Sequence, residues 1–561
     1  MSLPNPDVIA VLAALVCHYL VFKRYEPQNE RILVGLVVAP PMIIGLLPRE
    51  NSLNIFLSCL RSFLLYCSAL ILSILAYRLS PLHPLAEYPG PMACKTSKLW
   101  LTWIASRGKL HLYVKGLHDE YGSIVRIGPN ELSITDASLI PAILGPNGMP
   151  KGPMWDGRKI TPRQRGAGAQ EAARGNLIGA RDYKQHTIAR KAWNRAFLPT
   201  SIKGYEPILI RRVAQLAEVL SAQDGSVDLS RWLSFFSFDM MGDIAFGGGF
   251  ELMRDGDKDG LWRRMEGGLY FPALTQHIPW VIPFLPYFPA VGQEMQALGK
   301  FAFDQAKRRL QEGSIHNDLF YYLMDDKRED AEPYPFPLAV SNAVLAIVAG
   351  SDTTSTVLSN TFYFLLTHPE SYKRLQSELD EVFPPKSGKE RIDATVLLGL
   401  PYLNAVIKES LRVHPPLSTS LQRAPTPGTG SKVLTERMTA SFVISEGTAV
   451  NIPPYTLHRD PRYFFPSPDK FMPERWLAEK DDPKIILNED AYIPFSSGPA
   501  NCVGKNFAWL EMRMVLAYLL QAFDMRLADG YEKEGYEAEL KDFLVLQKGS
   551  LPTILTERRA A

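Results

Sequence analysis

The chain has 561 residues, 46% of them hydrophobic and 21% charged, which supplies a large folded core and excludes a disordered or fibrous chain. Its 61 Lys and Arg against 59 Asp and Glu leave a formal net charge of +2, so no concentrated basic surface argues for nucleic acid as a partner. The five cysteines (Cys17, Cys59, Cys67, Cys94 and Cys502) form no C-x-x-C pair and no disulfide framework, and no two histidines stand three or four residues apart as a local zinc signature would require.

Three apolar stretches open the chain: Val8 to Phe22, Ile32 to Leu47, and Ser62 to Tyr77, the last extendable back to Leu53. A helix needs about 20 apolar residues to cross a bilayer. The third stretch fits that length best; the first is short and the second carries Pro40-Pro41. Residues 1–80 are therefore expected to be a membrane region of one to three transmembrane helices, with buried helices of a soluble core as the alternative. No Lys or Arg precedes Val8, unlike the start of a cleaved signal peptide. With three spans, Lys23, Arg24 and Arg31 would lie on the cytosolic side of an endoplasmic reticulum membrane. Pro81, Pro84, Pro89, Gly90 and Pro91 cannot continue a helix, so residues 81–96 read as a stiff hinge and residues 97–561 as the body.

Within the body, Gly122 to Asp136 alternates β-branched and polar residues around Gly128-Pro129-Asn130, the pattern of a hairpin. Strand character returns at Phe442 to Ile452. Helical periodicity covers Arg181 to Phe197, Ile208 to Leu220, Phe301 to Gln311 and Leu338 to Leu366. The expected class is mostly α, a helix-rich α+β body. The segment Leu269 to Val291 holds Tyr270, Phe271, Trp280, Phe284, Tyr287 and Phe288 among five prolines, too broken to span a bilayer. It reads either as a core-packed loop or as an entrance loop that dips into the membrane and admits apolar substrate.

The longest helical pattern is apolar almost all round, as a helix through a core should be. Its middle departs from that: Ala349-Gly350-Ser351-Asp352-Thr353-Thr354 places an acid and hydroxyls where each polar group must be satisfied. Two readings remain open, an ordinary kink and a proton relay.

Near the C-terminus, Pro494 to Phe523 sets a glycine-bearing loop before an amphipathic helix, with Cys502 at the junction. A cysteine at a helix N-terminus meets free backbone N–H groups and the positive end of the helix dipole, which favours thiolate. A phosphate-binding loop is a poor match, because five residues separate Gly498 from Gly504 and Asn506 stands where Ser or Thr is required. A buried structural cysteine is the plain alternative.

Phe495-x-x-Gly498-x-x-x-Cys502-x-Gly504 resembles the haem-binding loop of the cytochrome P450 superfamily. Three companions occur in the same order as in that family: Ala349 to Thr354 is similar to its oxygen-activation motif, Glu409-x-x-Arg412 to its E-x-x-R helix, and Phe471-Met472-Pro473-Glu474-Arg475-Trp476 to the segment whose arginine joins that pair. The resemblance spans roughly Tyr88 to the C-terminus, and with the N-terminal anchor it fits microsomal, fungal-like members best. It implies a cytochrome P450 fold with an N-terminal transmembrane anchor, haem as cofactor and Cys502 as the axial iron ligand. Phe495, Gly498 and Gly504 would shape the loop; His186, Arg190 and Arg423 would be the cations for the haem propionates. Glu409, Arg412 and Arg475 would form a structural network, and Asp352 and Thr353 the proton relay. One position departs from the family pattern: Ala500 stands where an arginine usually meets a propionate.

The resemblance further implies a monooxygenase that inserts one oxygen atom from O2 into a lipophilic or aromatic small molecule, by hydroxylation or epoxidation, in secondary metabolism or xenobiotic oxidation. The sequence has no G-x-G-x-x-G loop following a strand, so electrons from NADPH would come through a separate membrane-bound cytochrome P450 reductase. The rival readings are a reductase-independent haem-thiolate isomerase or dehydratase, against which Asp352 and Thr353 speak, and a non-catalytic membrane haem or lipid binder. A serine hydrolase is excluded by the lack of a G-x-S-x-G elbow.

Overall fold

The computed structural model describes residues 5–558 apart from 24–26, 28, 49–53, 159–175, 289–292, 314–316, 326–334, 385–391, 420, 436–440 and 480–481. Arg24, Leu53 and the end of the aromatic segment at 289–291 therefore lie outside the described residues. The three apolar stretches fold as helices that pack on one another: α1 (Pro6–Cys17, continued by a π-helical turn at His18–Phe22), α2 (Glu30–Gly45) and α3 (Ile55–Leu79). Asn5, Asn29 and Asn54 cap their N-termini by accepting backbone N–H bonds.

α2 runs through Pro40-Pro41 without ending. Pro40 has no N–H for the Leu36 carbonyl four residues back, and the Tyr66 hydroxyl of α3 donates to that carbonyl at 2.8 Å instead. The 25 residues of α3 are long and apolar enough to cross a membrane. Val8, Leu12, Val16, Ile43, Phe56 and Leu72 are exposed on the outside of the bundle.

The proline-rich segment that follows is fastened to the body. Leu85 is buried in the cluster that contains Leu132 and Ile134, and His83 bonds Asn130 at 3.2 Å. Arg126 donates to the carbonyls of Arg78 and Leu85 from its side chain and to that of Pro89 from its backbone. A short helix at Met92–Thr96 closes the segment.

In the body, β1 (Ile124–Gly128) and β2 (Glu131–Ile134) make the hairpin that Gly122 to Asp136 predicts. They join β3 (Leu421–Arg423) and β4 (Ala449–Ile452) in a four-stranded sheet of order β1-β2-β4-β3, in which β2 and β4 run parallel. The strand run at Phe442 to Ile452 divides, because Gly447 takes φ +84 and turns the chain. Its first part, Ser441–Ile444, pairs instead with Lys432–Thr435.

The large apolar core lies among helices. Those that position the site are α4 (Tyr183–Ala196), α5 (Leu229–Phe246), α6 (Phe336–Thr367), α7 (Pro401–Val413) and α8 (Lys505–Ala522). α6 would cross a membrane by length and composition, but α5, α7 and α8 pack around it and make it the central core helix. The helices expected at Ile208 to Leu220 and Phe301 to Gln311 extend to Pro199–Ser221 and Gln293–Glu312.

Candidate functional site

Glu409 and Arg412 lie three residues apart on α7, one above the other on a face turned fully inward. Arg412 donates to both Glu409 oxygens at 2.9 Å, and Arg475 joins them with its Nε 3.0 Å from Oε1. Sequence reasoning missed two further donors to the same carboxylate: the Met472 backbone N–H and the Trp476 indole, each at 2.9 Å. Burial alone would raise the Glu409 carboxyl; the two guanidiniums and the Met472 N–H outweigh it and hold the group below its ordinary value.

The network reaches the cysteine loop through His458, which sequence reasoning did not single out. Arg412 donates to the His458 carbonyl at 2.6 Å, and the imidazole Nε2 accepts the Ile493 N–H at 2.9 Å, just before the loop begins. Burial, with Arg412 and Arg459 beside it, pushes the His458 imidazole down to about 3, so it is the neutral acceptor this bond needs. A histidine far from any other motif gave no sequence signal.

The loop closes with the Cys502 N–H donating to the Phe495 carbonyl at 2.9 Å. Gly498 takes φ +72, and a Cβ there would fall 1.9 Å from the Leu144 carbonyl oxygen, so only glycine fits. α8 starts at Lys505 with Gly504 as its cap, and the backbone N–H groups of Gly504 and Lys505 bond the Cys502 sulfur. Cys502 keeps accessible surface although the surrounding protein atoms desolvate its thiol. Burial raises the free thiol above its ordinary value; the two N–H groups, Arg190 and Lys505 oppose the rise without reversing it. The expectation that the helix terminus by itself favours thiolate is thus corrected, because desolvation is the larger effect. A bound metal deprotonates a coordinating thiol outright.

Arg190 grips the loop. It donates to the Asn501 carbonyl at 2.6 Å and to the Asn501 side-chain oxygen at 2.9 Å. His186, one turn earlier on α4, is buried, and burial followed by Lys151, Arg190 and Arg423 pushes it down to about 4. With no anion beside it among the described residues, it is a neutral imidazole near pH 7. Arg423, in β3, is buried, and burial pushes its guanidinium down to about 10 with no carboxylate offsetting the loss among the described residues. Lys151, also buried, pairs across from Arg423 in an isolated bridge and was not anticipated.

On α6, a Cβ at Gly350 would meet the Met241 sulfur at 2.3 Å, so this glycine exists to let α5 pack closely. Ser351 and Thr353 return their hydroxyls to the carbonyls four residues back, Thr353 to Ala349 at 2.6 Å. Asp352 points elsewhere: its Oδ1 is 3.3 Å from the Lys548 ammonium, and it is not hydrogen-bonded to Thr353. Ala349 is exposed and Thr353 half-buried, whereas the turns that follow, from Thr354 to Leu365, are buried.

The cytochrome P450 family model matches residues 89–552. The chain is a cytochrome P450. Curated relatives agree: Cytochrome P450 67 of Uromyces fabae is 32% identical over 558 residues, 96% of each chain. Cytochrome P450 monooxygenase FCK2 of Fusarium pseudograminearum is 34% identical and covers 87% of this chain and 85% of its own. Tryprostatin B 6-hydroxylase of Aspergillus fumigatus is 30% identical, with 88% and 84% covered. This P450 is therefore a monooxygenase with haem iron as its cofactor and NADPH-derived electrons, as is general in the family.

The residues present fit haem. Cys502, the expected iron ligand, keeps accessible surface for a group to reach, and the buried guanidinium of Arg423 has no carboxylate offsetting its burial among the described residues. The aromatic segment of this P450 divides. Tyr270 packs on Phe271 and Phe543, whereas Trp280, Tyr287 and Phe288 are exposed.

Proposed function

We propose that this P450 inserts one oxygen atom from O2 into a C–H bond or double bond of a lipophilic or aromatic small molecule, with Cys502 as the axial thiolate. The observation that carries this is the Cys502 loop at the start of α8, whose Cys502 N–H is held by the Phe495 carbonyl and whose sulfur keeps accessible surface beside the N–H groups of Gly504 and Lys505. Haem held there supplies oxygen activation, because a thiolate ligand favours heterolytic O–O cleavage. Arg423 would bind a propionate and make good the loss of an arginine at Ala500; His186 would add a donor, and Arg190 steadies the loop at Asn501. Glu409, Arg412 and Arg475 hold the loop's support through His458. Thr353 would hold a proton at Oγ1, and Asp352, one residue earlier and turned toward Lys548, would be the acid of the relay.

The N-terminal helices anchor the enzyme in the endoplasmic reticulum membrane, with the body cytosolic and served by a membrane-bound NADPH-dependent reductase. The apolar exterior of the three-helix bundle supports this, as do the exposed Trp280, Tyr287 and Phe288, which suit a bilayer interface. The relatives' names include a tryprostatin B 6-hydroxylase, which makes tryprostatin B the first compound to try. The test is aerobic turnover of the membrane-bound holoenzyme with NADPH and added reductase against a panel of lipophilic and aromatic compounds. Oxygen-18 from O2 should enter the product. Conversion of a peroxide without reductase or NADPH, and no oxygenation across the panel, would replace this reading with the isomerase.

A further inference from the structure

Lys548 follows the strand pair β5 (Lys541–Phe543) and β6 (Val545–Gln547) and reaches back into the core. Its ammonium lies 3.3 Å from Asp352 Oδ1, donates to Ser355 Oγ at 2.9 Å and stands 3.8 Å from Glu266 Oε1. Glu266 sits on the helix Leu261–Gly268, tied to the same hairpin by the Gln547 side chain, which donates to the Glu266 carbonyl at 3.0 Å. Side-chain exposure rises along the line, from 0% at Asp352 through 3% at Lys548 to 26% at Glu266.

A buried ion pair is weak support for stability, since apolar residues of like size often serve as well. This one also leaves Asp352 Oδ2 buried without a hydrogen-bond partner, which costs the desolvation of that oxygen. The arrangement therefore calls for a role beyond holding three elements together.

We propose that Lys548 and Glu266 are positioning residues that feed protons to Asp352, with Glu266 as the outer carboxyl and Lys548 as the bridge. This rests on the reading of Asp352 as the acid that supplies Thr353. When the Lys548 ammonium gives a proton to Asp352, the Glu266 carboxyl replaces it and is itself reprotonated by hydronium from bulk solvent. One proton has then moved inward and Lys548 is again an ammonium.

The charges fit the direction. Burial pushes Glu266 up to about 7; Lys548 opposes that, and Asp352, Asp228 and Asp257 add to it. Below about pH 7 Glu266 therefore carries the proton it must pass on. Above that it is a carboxylate, which competes with Asp352 for Lys548.

The experiment uses the full-length holoenzyme and the variants Glu266→Gln, Lys548→Met, Lys548→Arg and Asp352→Asn, each checked for haem content. Infrared titration of the resting protein should show a carboxyl losing its proton near pH 7. Glu266→Gln should remove that band, and Lys548→Met should move its midpoint upward, since a cation that lowers it is gone. With reductase and tryprostatin B as the first probe, the product-to-NADPH ratio should fall above about pH 7 in the wild type and lose that dependence in Glu266→Gln. Lys548→Met should slow product formation about tenfold, a part of the 10²–10⁴ typical of acid–base steps, and Lys548→Arg should not restore it, because a guanidinium keeps its proton. If the probe is not turned over, peroxide released per NADPH serves as the same readout.

No titrating carboxyl near pH 7, or unchanged kinetics in Lys548→Met, would overturn the proposal. If Asp352→Asn uncouples the enzyme while Lys548→Met and Glu266→Gln do not, the feed is wrong and the Asp352 reading stands. If Asp352→Asn also changes nothing, both fall.

Discussion

Glu409→Gln tests whether the buried charge network stabilises the body that holds the cysteine loop. The two Glu409 oxygens accept from Arg412 Nε and Nη2, Arg475 Nε, the Met472 N–H and the Trp476 indole. A glutamine keeps one acceptor oxygen and turns an N–H2 toward the remaining donors, and it removes the anion that both buried guanidiniums bond. Breaking such a group from one side costs about 3–5 kcal/mol. Unfolding entropy of about 2.1 cal/mol/K per residue over a body of roughly 460 residues is about 1 kcal/mol per kelvin, so the melting temperature should fall by about 3–5 °C. The control is Glu474→Gln, whose partners Arg374 at 3.4 Å and Tyr402 at 3.0 Å meet a side chain that is 45% exposed; it should move the midpoint by about 1 °C or less. Both variants are melted at one scan rate and followed by calorimetry and haem absorbance. Because Glu409 is held below its ordinary 4.5, the stability it lends is present above pH 4.5 and is lost only as pH falls through its folded value. The gap between wild type and Glu409→Gln should thus persist at pH 5 and shrink in stronger acid. Equal melting of the two variants at neutral pH would refute the reasoning.

Gly498→Ala should lose about 2–5 kcal/mol from a Cβ forced onto the Leu144 carbonyl at φ +72, and should shed haem; Gly504→Ala, whose nearest contact would be Phe197 Cε1 at 3.8 Å, should not clash. Thr353→Ala should keep fold and haem while diverting reducing equivalents into hydrogen peroxide, and Asp352→Asn should slow product formation more than it weakens substrate binding; the checks are the product-to-NADPH ratio and a substrate titration. Protease added to intact microsomes should digest the body, and deletion through Ser80 should weaken membrane binding without abolishing it if Trp280, Tyr287 and Phe288 also dock.

Local pattern carried much of the fold. The hairpin at Ile124–Ile134 and the helix Phe336–Thr367 were legible because their periods are written in consecutive residues. The P450 signatures were legible because backbone geometry demands particular residues, as Gly498 shows. What escaped depends on distant partners. Pro40-Pro41 looked like a break until Tyr66 supplied the missing donor. Burial, followed by Lys151, Arg190 and Arg423, pushes the His186 imidazole down, which its place in the sequence could not show. Asp352 and Lys548 are 196 positions apart, and no spacing rule could have joined them.

The central claim is that Cys502 binds haem iron as thiolate, and carbon monoxide added to the reduced protein tests it most directly. The wild type should show the red-shifted Soret band that names the family, and Cys502→Ser should lose it while keeping the helical fold. Retention of that band in Cys502→Ser would contradict the account.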